Sequence, residues 1–320
     1  MPSAEGDQIL VGDIGATNCR MAVCTVEGGR VRIVRRATQR TGEFDQVGQA
    51  IAAFVGERAP ARAALAVAGP VRGDDVALTN ARWRFSAADL KREFGFSDLL
   101  ILNDLVAQAE GVLQLDAADF DSLGGGDIRN AGSFAVVGLG TGLGVAHVRR
   151  GAGAEAQVVP TEGGHAGFAA YDALDLRLIE VMREEVGRVV LEHVLSGPGI
   201  MRLHRALASV EGRAPDAPES HEIVRLGAAG DDAGCARTVS RFALALASAC
   251  ADIALIQGAQ GVVLVGEIAN ALRPALQRAE FRERFETHGP GRGFLSNVPV
   301  AVATTADLGL SGAAYALIRR

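Results

Sequence analysis

Two stretches of the chain, residues 10–23 and 135–148, share one pattern: an apolar run, a turn rich in Gly and Thr, and a second apolar run. Each predicts two antiparallel strands joined by a tight turn. Unpaired backbone N–H groups at such a turn form a concave site for an anion. Either hairpin alone could be purely structural. Two of them, far apart in sequence, favour a site that holds a chain of phosphate groups from two sides.

Other kinds of phosphate site do not fit this sequence. The one lysine, Lys91, lacks the Gly-Lys-Ser/Thr context of a P-loop, and no strand lysine is available for a site of protein-kinase type. The second turn has glycines at alternate positions, and the segment after it continues as strand. A dinucleotide-binding turn has a Gly-x-Gly-x-x-Gly spacing and opens a helix, so we do not expect one here.

Length and composition narrow the classes of function further. The 320 residues suggest about two domains, and 48 % of them are hydrophobic. The net charge of −6, without a basic stripe, argues against a nucleic-acid partner. No apolar run reaches the roughly 18 residues of a membrane span, and the N-terminus does not resemble a signal peptide. We therefore expect no membrane partner and a cytoplasmic location.

The cysteines support the same expectation. Cys19 and Cys24 lie five residues apart on a predicted strand and should face opposite sides of it. The other two are Cys235 and Cys250, and there is no Cys-x-x-Cys pair. We expect neither a zinc site nor a disulfide.

The order of predicted elements indicates an α/β protein. In the first half, the strands are expected at 9–13, 20–26, 31–37, 62–68 and 99–103, and the helices at 44–57, 87–94 and 104–115. A polar, Gly-rich loop is expected at 116–133. In the second half, the strands are expected at 134–138, 144–149, 157–159, 261–265 and 298–303, and the helices at 172–186, 197–209, 219–228, 233–259, 268–278 and 308–319. Both halves open with a hairpin, which indicates one architectural plan used twice, with a cleft between the halves.

Asn103 and Asp104 lie where an apolar strand ends and a helix begins. Ligands in α/β sheets collect at the carboxyl ends of strands. Asp104 could simply cap the helix. It could also be a general base, since phosphoryl transfer to an alcohol needs a carboxylate that accepts the hydroxyl proton. Asp13 lies in the first Gly-rich turn, and a carboxylate beside phosphates is useful only with a cation between them, which implies Mg²⁺.

A second group of polar residues could bind a polyol. Glu162 and His165 share a Gly-flanked loop. They could be metal ligands, but no third ligand with suitable spacing follows. Their acceptors and donors also suit sugar hydroxyls. Glu192 is a further candidate, or a solvated charge at a helix end. Asn80 could add an amide, and Trp83 an aromatic wall or a core residue.

These motifs together resemble the bacterial glucokinases of the hexokinase/actin-like ATPase superfamily, along nearly the whole chain. The matching segments are residues 10–20, 69–73 with 79–80, 101–104, 140–144, 162–165, Glu192 with 195–199, and 311–313. The resemblance implies two ribonuclease-H-like (actin-like ATPase) α/β domains with a cleft between them. We place the small domain at 1–110 plus 306–320 and the large one at 111–305.

The resemblance also implies a site for glucose and ATP·Mg²⁺, and a homodimer, since family members are commonly dimers. Glucose would be held by Asn80, Asn103, Asp104, Glu162, His165 and Glu192, with Asp104 as the catalytic base. The nucleotide would be held by Gly12, Asp13, Gly15, Ala16, Thr17, Asn18, Gly138, Gly140, Thr141, Gly142, Gly266 and Glu267, with Asp13 holding Mg²⁺ directly or through water.

The chain departs from the family pattern at two positions on the nucleotide side. Ala16 stands where a second Gly is usual, and Glu267 stands where Gly-Gly is usual near the adenine. Glu267 should lie at the N-terminus of its own helix, where a carboxylate is favourable.

We expect ATP-dependent phosphorylation of D-glucose to glucose 6-phosphate. The alternatives are a kinase for another hexose, a non-catalytic sugar-binding protein and an actin-like assembly ATPase. The Cys-rich zinc motif of the repressor/kinase sugar-kinase group is absent, which argues against that group's N-acetylmannosamine and fructose kinases.

Overall fold

The computed structural model describes residues 8–69, 71–78, 82–151, 156–214 and 218–320. By packing, the chain divides into two compact units: Met1–Asp116 with Thr305–Arg320 (unit 1), and Ala117–Thr304 (unit 2). The domain limits inferred from the sequence stay a prediction.

Unit 1 contains a mixed five-stranded sheet. Its strands are β1 (Ile9–Ile14), β2 (Asn18–Glu27), β3 (Arg30–Arg40), β4 (Arg62–Val67) and β8 (Asp98–Asn103). The spatial order is β3-β2-β1-β4-β8, with β1, β4 and β8 parallel and β2 antiparallel to both of its neighbours. The parallel strands β4 and β8 therefore end at the same edge of the sheet as β1.

Helices cover both faces of this sheet. They are α1 (Val47–Val55), α2 (Ala87–Phe94), α3 (Asp104–Val112) and α12 (Leu308–Ile318). Side chains alternate along β1: Leu10 packs in the core with α1 and α2, and Val11 in the core with α3 and α12. Cys19 and Cys24 lie in these two opposite cores, as their spacing predicts.

The helices α3 and α12 pack very closely because glycines line their contact. A Cβ on Gly312 would overlap the carbonyl oxygen of Ala107 and would lie 2.5 Å from the Gly111 nitrogen. A Cβ on Gly111 would lie 2.6 Å from the Leu308 carbonyl oxygen. An ion pair between Arg319 and Glu110 lies at one end of the contact, with Arg319 Nε 2.7 Å from Glu110 Oε2. The C-terminal helix is thus fixed against α3 through its backbone.

Unit 1 also has a small antiparallel sheet that we did not predict. It consists of β5 (Val71–Arg72), β6 (Asp75–Ala77) and β7 (Arg84–Ser86). Trp83 precedes β7, is 3 % exposed, and donates from its indole N–H to the Phe44 carbonyl oxygen at 3.0 Å. Trp83 is therefore a core residue. Thr79 and Asn80 lie outside the described residues.

Unit 2 repeats the strand order of unit 1. Its sheet contains β9 (Phe120–Ser122), β10 (Ser133–Leu139), β11 (Leu143–Arg149), β12 (Gln157–Thr161), β13 (Val262–Val265) and β14 (Val300–Ala303). The order is β12-β11-β10-β13-β14-β9, with β10, β13 and β14 parallel and the others antiparallel to their neighbours. The first five strands of this row match unit 1 in order and direction, which confirms the mixed α/β class.

The helices of unit 2 pack around α7 (Ala233–Gln257). The others are α4 (Ala173–Val186), α5 (Gly197–Val210), α6 (Ser220–Ala229), α8 (Glu267–Ala271), α9 (Arg273–Leu276), α10 (Ala279–Glu286) and α11 (Arg292–Leu295). Ion pairs join α7 to the start of α4: Arg241 donates to Asp175 at 2.9 Å and to Asp172 at 2.9 Å. Hydrogen bonds from Arg241 hold the pKa of Asp172 well below its usual range.

By length and composition, α7 could cross a membrane, although Arg241 and Asp252 interrupt its apolar sequence. Its most apolar window is 67 % buried within the protein, and buried core helices pass the same test. The absence of a membrane partner stays a prediction.

Several predicted boundaries also need correction. The segment 116–133 is not all loop, because β9 forms within it and pairs with β14. The first helix spans Val47–Val55 rather than 44–57. The predicted helix 268–278 begins at Glu267 and breaks at Leu272, before Arg273–Leu276. Proline at 274 explains the break, since it cannot donate a backbone hydrogen bond to the preceding turn.

Candidate active site

The first Gly-rich turn, Gly15–Thr17, joins β1 to β2 and is held by hydrogen bonds on both sides. The Gly15 N–H donates to the Asn18 carbonyl oxygen at 2.9 Å. Thr41 holds the turn from the end of β3: its hydroxyl donates to the Gly15 carbonyl at 2.8 Å, and its N–H donates to the Thr17 carbonyl at 3.0 Å. Thr41 is buried. The turn therefore has a fixed backbone.

Gly12 and Asp13 lie inside β1 rather than in the turn. Gly12 is buried, and a Cβ there would lie 2.9 Å from Leu65 Cδ2, so a larger residue would require the Leu65 side chain to shift. Asp13 pairs with Arg20 across the hairpin, with Nη1 3.5 Å from Oδ2. The carboxylate of Asp13 also lies 3.3 Å from the Cβ position of Gly309, which places the start of α12 beside it.

Asn103 ends β8 and Asp104 begins α3, as predicted, but Asn103 rather than Asp104 caps the helix. The Asn103 Oδ1 accepts from the N–H groups of Leu105 at 3.0 Å and Val106 at 3.3 Å. Its amide donates to the Gly69 carbonyl oxygen at 3.3 Å. Asp104 is the first residue of α3, and its Oδ1 accepts from the Leu105 N–H at 2.9 Å.

The environment of Asp104 favours the neutral form of its carboxyl group. Burial, and after it the negative charge of Asp13, raises the pKa of Asp104 to about 6. The hydrogen bond from the Leu105 N–H opposes this shift without cancelling it. A carboxyl group with a pKa near neutrality is suited to accept a proton during a reaction. Unit 1 thus brings together two acidic side chains and a backbone turn.

The second Gly-rich turn in unit 2 comprises Gly140, Thr141 and Gly142, between β10 and β11. Gly138, predicted with them, lies within β10. The Gly140 N–H donates to the Gly142 carbonyl at 3.0 Å, and the Gly140 carbonyl accepts from the Gly197 N–H at 2.9 Å. Gly140 and Thr141 are exposed, so the tip of the turn is accessible to a ligand.

Glu192 is bound to this turn and is not a solvated helix-end charge. Its Oε2 accepts from the Leu143 N–H at 2.9 Å. A Cβ on Gly142 would lie 2.5 Å from the same oxygen. The Glu192 carbonyl oxygen accepts from the Ser196 hydroxyl at 2.7 Å, and Ser196 caps α5. No local pattern signals the contact with Leu143, because it joins residues 49 positions apart.

The loop that carries Glu162 and His165 packs against the same hairpin. A Cβ on Gly164 would overlap the Leu143 carbonyl oxygen, and the Thr161 hydroxyl donates to the Val145 carbonyl oxygen at 2.8 Å. The side chains of Glu162 and His165 are 89 % and 62 % exposed and lie 3.8 Å apart. Their polar atoms are therefore accessible to a ligand, on a loop whose backbone is held by the sheet.

Gly266 and Glu267 lie at the start of α8, which confirms the predicted helix N-terminus. Gly266 has a φ of +103°, and a Cβ there would overlap the Leu139 carbonyl oxygen at the end of β10. Glycine is therefore required at 266 by both conformation and space. The Glu267 side chain is exposed.

The described residues offer few possible ligands for a metal ion. Among the described residues, no group of three His, Cys, Asp or Glu side chains could hold a metal ion. All four cysteines are buried and free, and burial raises the pKa of both Cys19 and Cys24 to about 12, so their thiols stay neutral. The single carboxylate of Asp13 fits Mg²⁺, which typically takes one or two carboxylates and fills its other positions with phosphate oxygens and water.

A family model described as glucokinase matches residues 10–320. The chain belongs to the glucokinase family. Within it, the glucokinase of Caulobacter vibrioides is 37 % identical over 317 residues, covering 96 % of this chain and 94 % of that relative.

Solved glucokinase structures agree with this assignment. A glucokinase from an Antarctic psychrotroph is 34 % identical, with a TM-score of 0.85 and coverage of 98 % of this chain and 99 % of that one. The glucokinase of Balamuthia mandrillaris, solved with glucose, is 22 % identical, with a TM-score of 0.82 and coverage of 99 % and 95 %, and supports the fold alone. The resemblance to bacterial glucokinases is thereby confirmed.

Proposed function

We propose that this protein transfers the γ-phosphoryl group of ATP to the 6-hydroxyl of D-glucose, giving glucose 6-phosphate and ADP. Membership of the glucokinase family supports the reaction class. The single observation that carries the chemistry is Asp104: a carboxyl group at the carboxyl end of β8, with a pKa of about 6.

In this proposal Asp104 is the general base. Its carboxylate accepts the proton of the 6-hydroxyl as the sugar oxygen attacks the γ-phosphorus, and the bond to the ADP oxygen breaks. A base with a pKa of about 6 is mostly ionised at neutral pH, yet is more basic than an ordinary aspartate. Asn103 caps α3 beside it and so fixes the backbone from which Asp104 projects. Asn103 also offers its amide to the sugar.

The two Gly-rich turns are proposed to hold the nucleotide. Backbone N–H groups of the two turns, at Ala16 and Thr17 and at Thr141, would donate to phosphate oxygens. Asp13 would hold Mg²⁺, which supplies neutralisation of the triphosphate charge when bound. Gly266 and Glu267 would lie against the adenine and ribose. A homodimer and a cytoplasmic location stay predictions.

The sugar is proposed to be recognised by charged side chains. Glu162, His165 and Glu192 offer acceptors and donors to its hydroxyls, with Asn80 adding an amide. Hydrogen bonds between a hydroxyl and a charged group contribute roughly 1.5–3 kcal/mol each. Because a hexose with an inverted hydroxyl leaves one such partner unpaired, this set gives a physical basis for selectivity.

The experiment that tests the proposal is a coupled assay of ADP release over a panel of hexoses. Glucose, mannose, fructose, galactose and N-acetylmannosamine are each offered with ATP and Mg²⁺, and the phosphorylated product is identified by mass spectrometry and NMR. We expect the highest kcat/KM with glucose and phosphate on its O6. A higher value with another sugar would support the alternative hexose kinase, and ADP release that no sugar stimulates would exclude both.

A further inference from the structure

Glu192 joins the proposed sugar-binding residues to the proposed triphosphate turn. Sugar-hydroxyl recognition needs only an accessible carboxylate. In this structure, however, Glu192 Oε2 accepts a hydrogen bond from the backbone N–H of Leu143, at the end of the Gly140–Gly142 turn. The same oxygen occupies the space where a side chain at 142 would begin.

The segment that carries Glu192 holds the turn at its other end as well. The Gly197 N–H donates to the Gly140 carbonyl oxygen at 2.9 Å. Ser196 connects the two contacts, because its hydroxyl donates to the Glu192 carbonyl oxygen and also accepts from the Gly199 N–H at 3.1 Å. The turn is therefore attached to the segment Glu192–Gly197 at both Gly140 and Leu143.

We propose that Glu192 is a positioning residue for the triphosphate turn, so that nucleotide binding depends on Glu192 even without sugar. This inference rests on the proposed function. A carboxylate has two acceptor oxygens, so Oε1 can accept from a sugar hydroxyl while Oε2 holds the Leu143 N–H. The backbone N–H groups at the tip of the turn bind phosphate best when the turn has one conformation, because no binding free energy is then spent on ordering it.

Charge and hydrogen bonding at Glu192 must be separated in the test, since a carboxylate near phosphates also repels them. Glu192→Gln removes the charge and keeps an oxygen acceptor. Glu192→Met removes the charge, has a similar length, and has only a weak acceptor. The difference between these two variants therefore reports the hydrogen bond to Leu143.

The measurement is isothermal titration of the full chain with the non-hydrolysable analogue AMPPNP and Mg²⁺, without sugar. We expect Glu192→Met to bind AMPPNP about three- to tenfold more weakly than Glu192→Gln, which corresponds to the usual net value of one hydrogen bond. Glu184→Met and Glu184→Gln are matched controls at an exposed carboxylate of α4, and should have equal affinities. Thermal unfolding of each variant verifies that it is folded.

The outcomes are distinct. Equal affinities of Glu192→Met and Glu192→Gln would overturn the positioning role and leave the proposed function intact. Tighter binding by Glu192→Met would also overturn it, because the side chain would then be competing with phosphate for the Leu143 N–H. A wild-type protein that binds no AMPPNP would overturn the proposed function and this inference together.

A double-mutant cycle provides a second test, which uses the steric conflict between a Cβ at position 142 and the Glu192 carboxylate. The Cβ of Gly142→Ala would displace the Glu192 carboxylate, so this change should weaken AMPPNP binding at least threefold in the wild-type background. In the Glu192→Ala background, that steric conflict is absent and the added loss should be clearly smaller. Strictly additive effects would show that Gly142 and Glu192 act independently and would contradict the inference.

Discussion

At the scale of single residues, Asp104 combines burial with a neighbouring negative charge, and both raise its pKa to about 6. Since only the ionised carboxylate can accept a proton, kcat/KM for glucose should fall with a slope of one as the pH drops below about 6. Above about pH 7, kcat/KM for glucose should stay constant up to pH 8. Steady-state rates from pH 5 to 8.5 check this, with unfolding measured at each pH. Rates independent of pH between 5 and 7 would contradict Asp104 as the base.

The same rise in pKa means that the ionised Asp104 carboxylate destabilises the folded protein. Its carboxyl group has an ordinary pKa near 3.8 and a native pKa of about 6, so the native state binds the proton more tightly. The destabilisation is absent below about pH 4, grows as the pH rises, and is complete above pH 6. Asp104→Asn should therefore raise the free energy of unfolding at pH 8 by up to about 3 kcal/mol. Because it lacks the general base, the same variant should lose roughly 10²–10⁴-fold in kcat.

Urea unfolding of Asp104→Asn and wild type at pH 5 and pH 8 measures this gain. The stabilisation should be larger at pH 8 than at pH 5. Asp98→Asn, which changes an acidic residue at the other end of β8, provides the control for a general effect of charge removal. An Asp104→Asn protein that is less stable than wild type at pH 8, or that retains a tenth of the wild-type kcat, would contradict these roles.

Glu267 gives a residue-scale prediction for the nucleotide side. An acidic side chain where the family usually has glycine would crowd the base or bind the ribose, and would repel a triphosphate modestly. Glu267→Gly should lower KM for ATP, or change the preference between ATP and GTP, with KM for glucose unchanged. Glu280→Gly, in the first turn of α10, controls for the loss of an acidic residue at a helix start. If all three KM values stay at wild-type level, Glu267 only stabilises its own helix.

Local sequence predicted the placement of Asn103 and Asp104 because a strand end followed by a helix start is encoded by neighbouring residues. It did not predict that Thr41 holds the first turn or that Glu192 holds the second. Those hydrogen bonds join residues 26 and 49 positions apart. Nothing next to either residue in the sequence indicates its partner, so only the folded backbone reveals it.

At the scale of elements, the contact between α3 and α12 depends on glycine. A methyl group on Gly312 would overlap the Ala107 carbonyl oxygen, which belongs to the backbone and cannot rotate away. We expect Gly312→Ala to reduce the free energy of unfolding by about 2 kcal/mol or more. Gly293→Ala is the matched control: this helical glycine in α11 has open space around its Cβ position.

The control substitution should be neutral or stabilising by up to about 1 kcal/mol, because alanine favours helix. Denaturant unfolding of both variants measures these changes in the free energy of unfolding. Equal stabilities of Gly312→Ala and Gly293→Ala would mean that the two helices can separate without cost.

Elements with strong periodicity or capping signals were predicted well, and short ones were not. The strands β1, β4 and β10 are mostly apolar and appear within one residue of their predicted limits. The strand β9 has three residues, Phe-Asp-Ser, and forms only because β14 offers it an edge. The chain from 279 to 295 carries α10 and α11, which are too short for a repeated apolar pattern: α10 has only Phe281 and Phe285 one turn apart, and α11 has four residues.

At the scale of the whole molecule, one strand order occurs twice: β3-β2-β1-β4-β8 in unit 1 and β12-β11-β10-β13-β14 in unit 2. The two hairpins in the sequence already indicate this plan, because a hairpin determines which strands are neighbours. The parallel neighbours β4 and β13 could not be assigned to their positions from the sequence. Their place depends on crossover helices that pack on the sheet, which is a property of the folded unit.

The position of α12 in the chain has a consequence for synthesis. Leu310, Ala313, Ala314 and Leu317 complete one core of unit 1, but about 190 residues of unit 2 are translated before them. At roughly 5–20 residues per second, the nascent N-terminal sheet waits about 10–40 s with that face covered by α3 but not by α12. Unit 2 is continuous, and its last strand, β14, is translated only a few residues before α12. The unit that begins translation first is therefore the last to be completed, and until then the part of this face that α12 covers is open to chaperones.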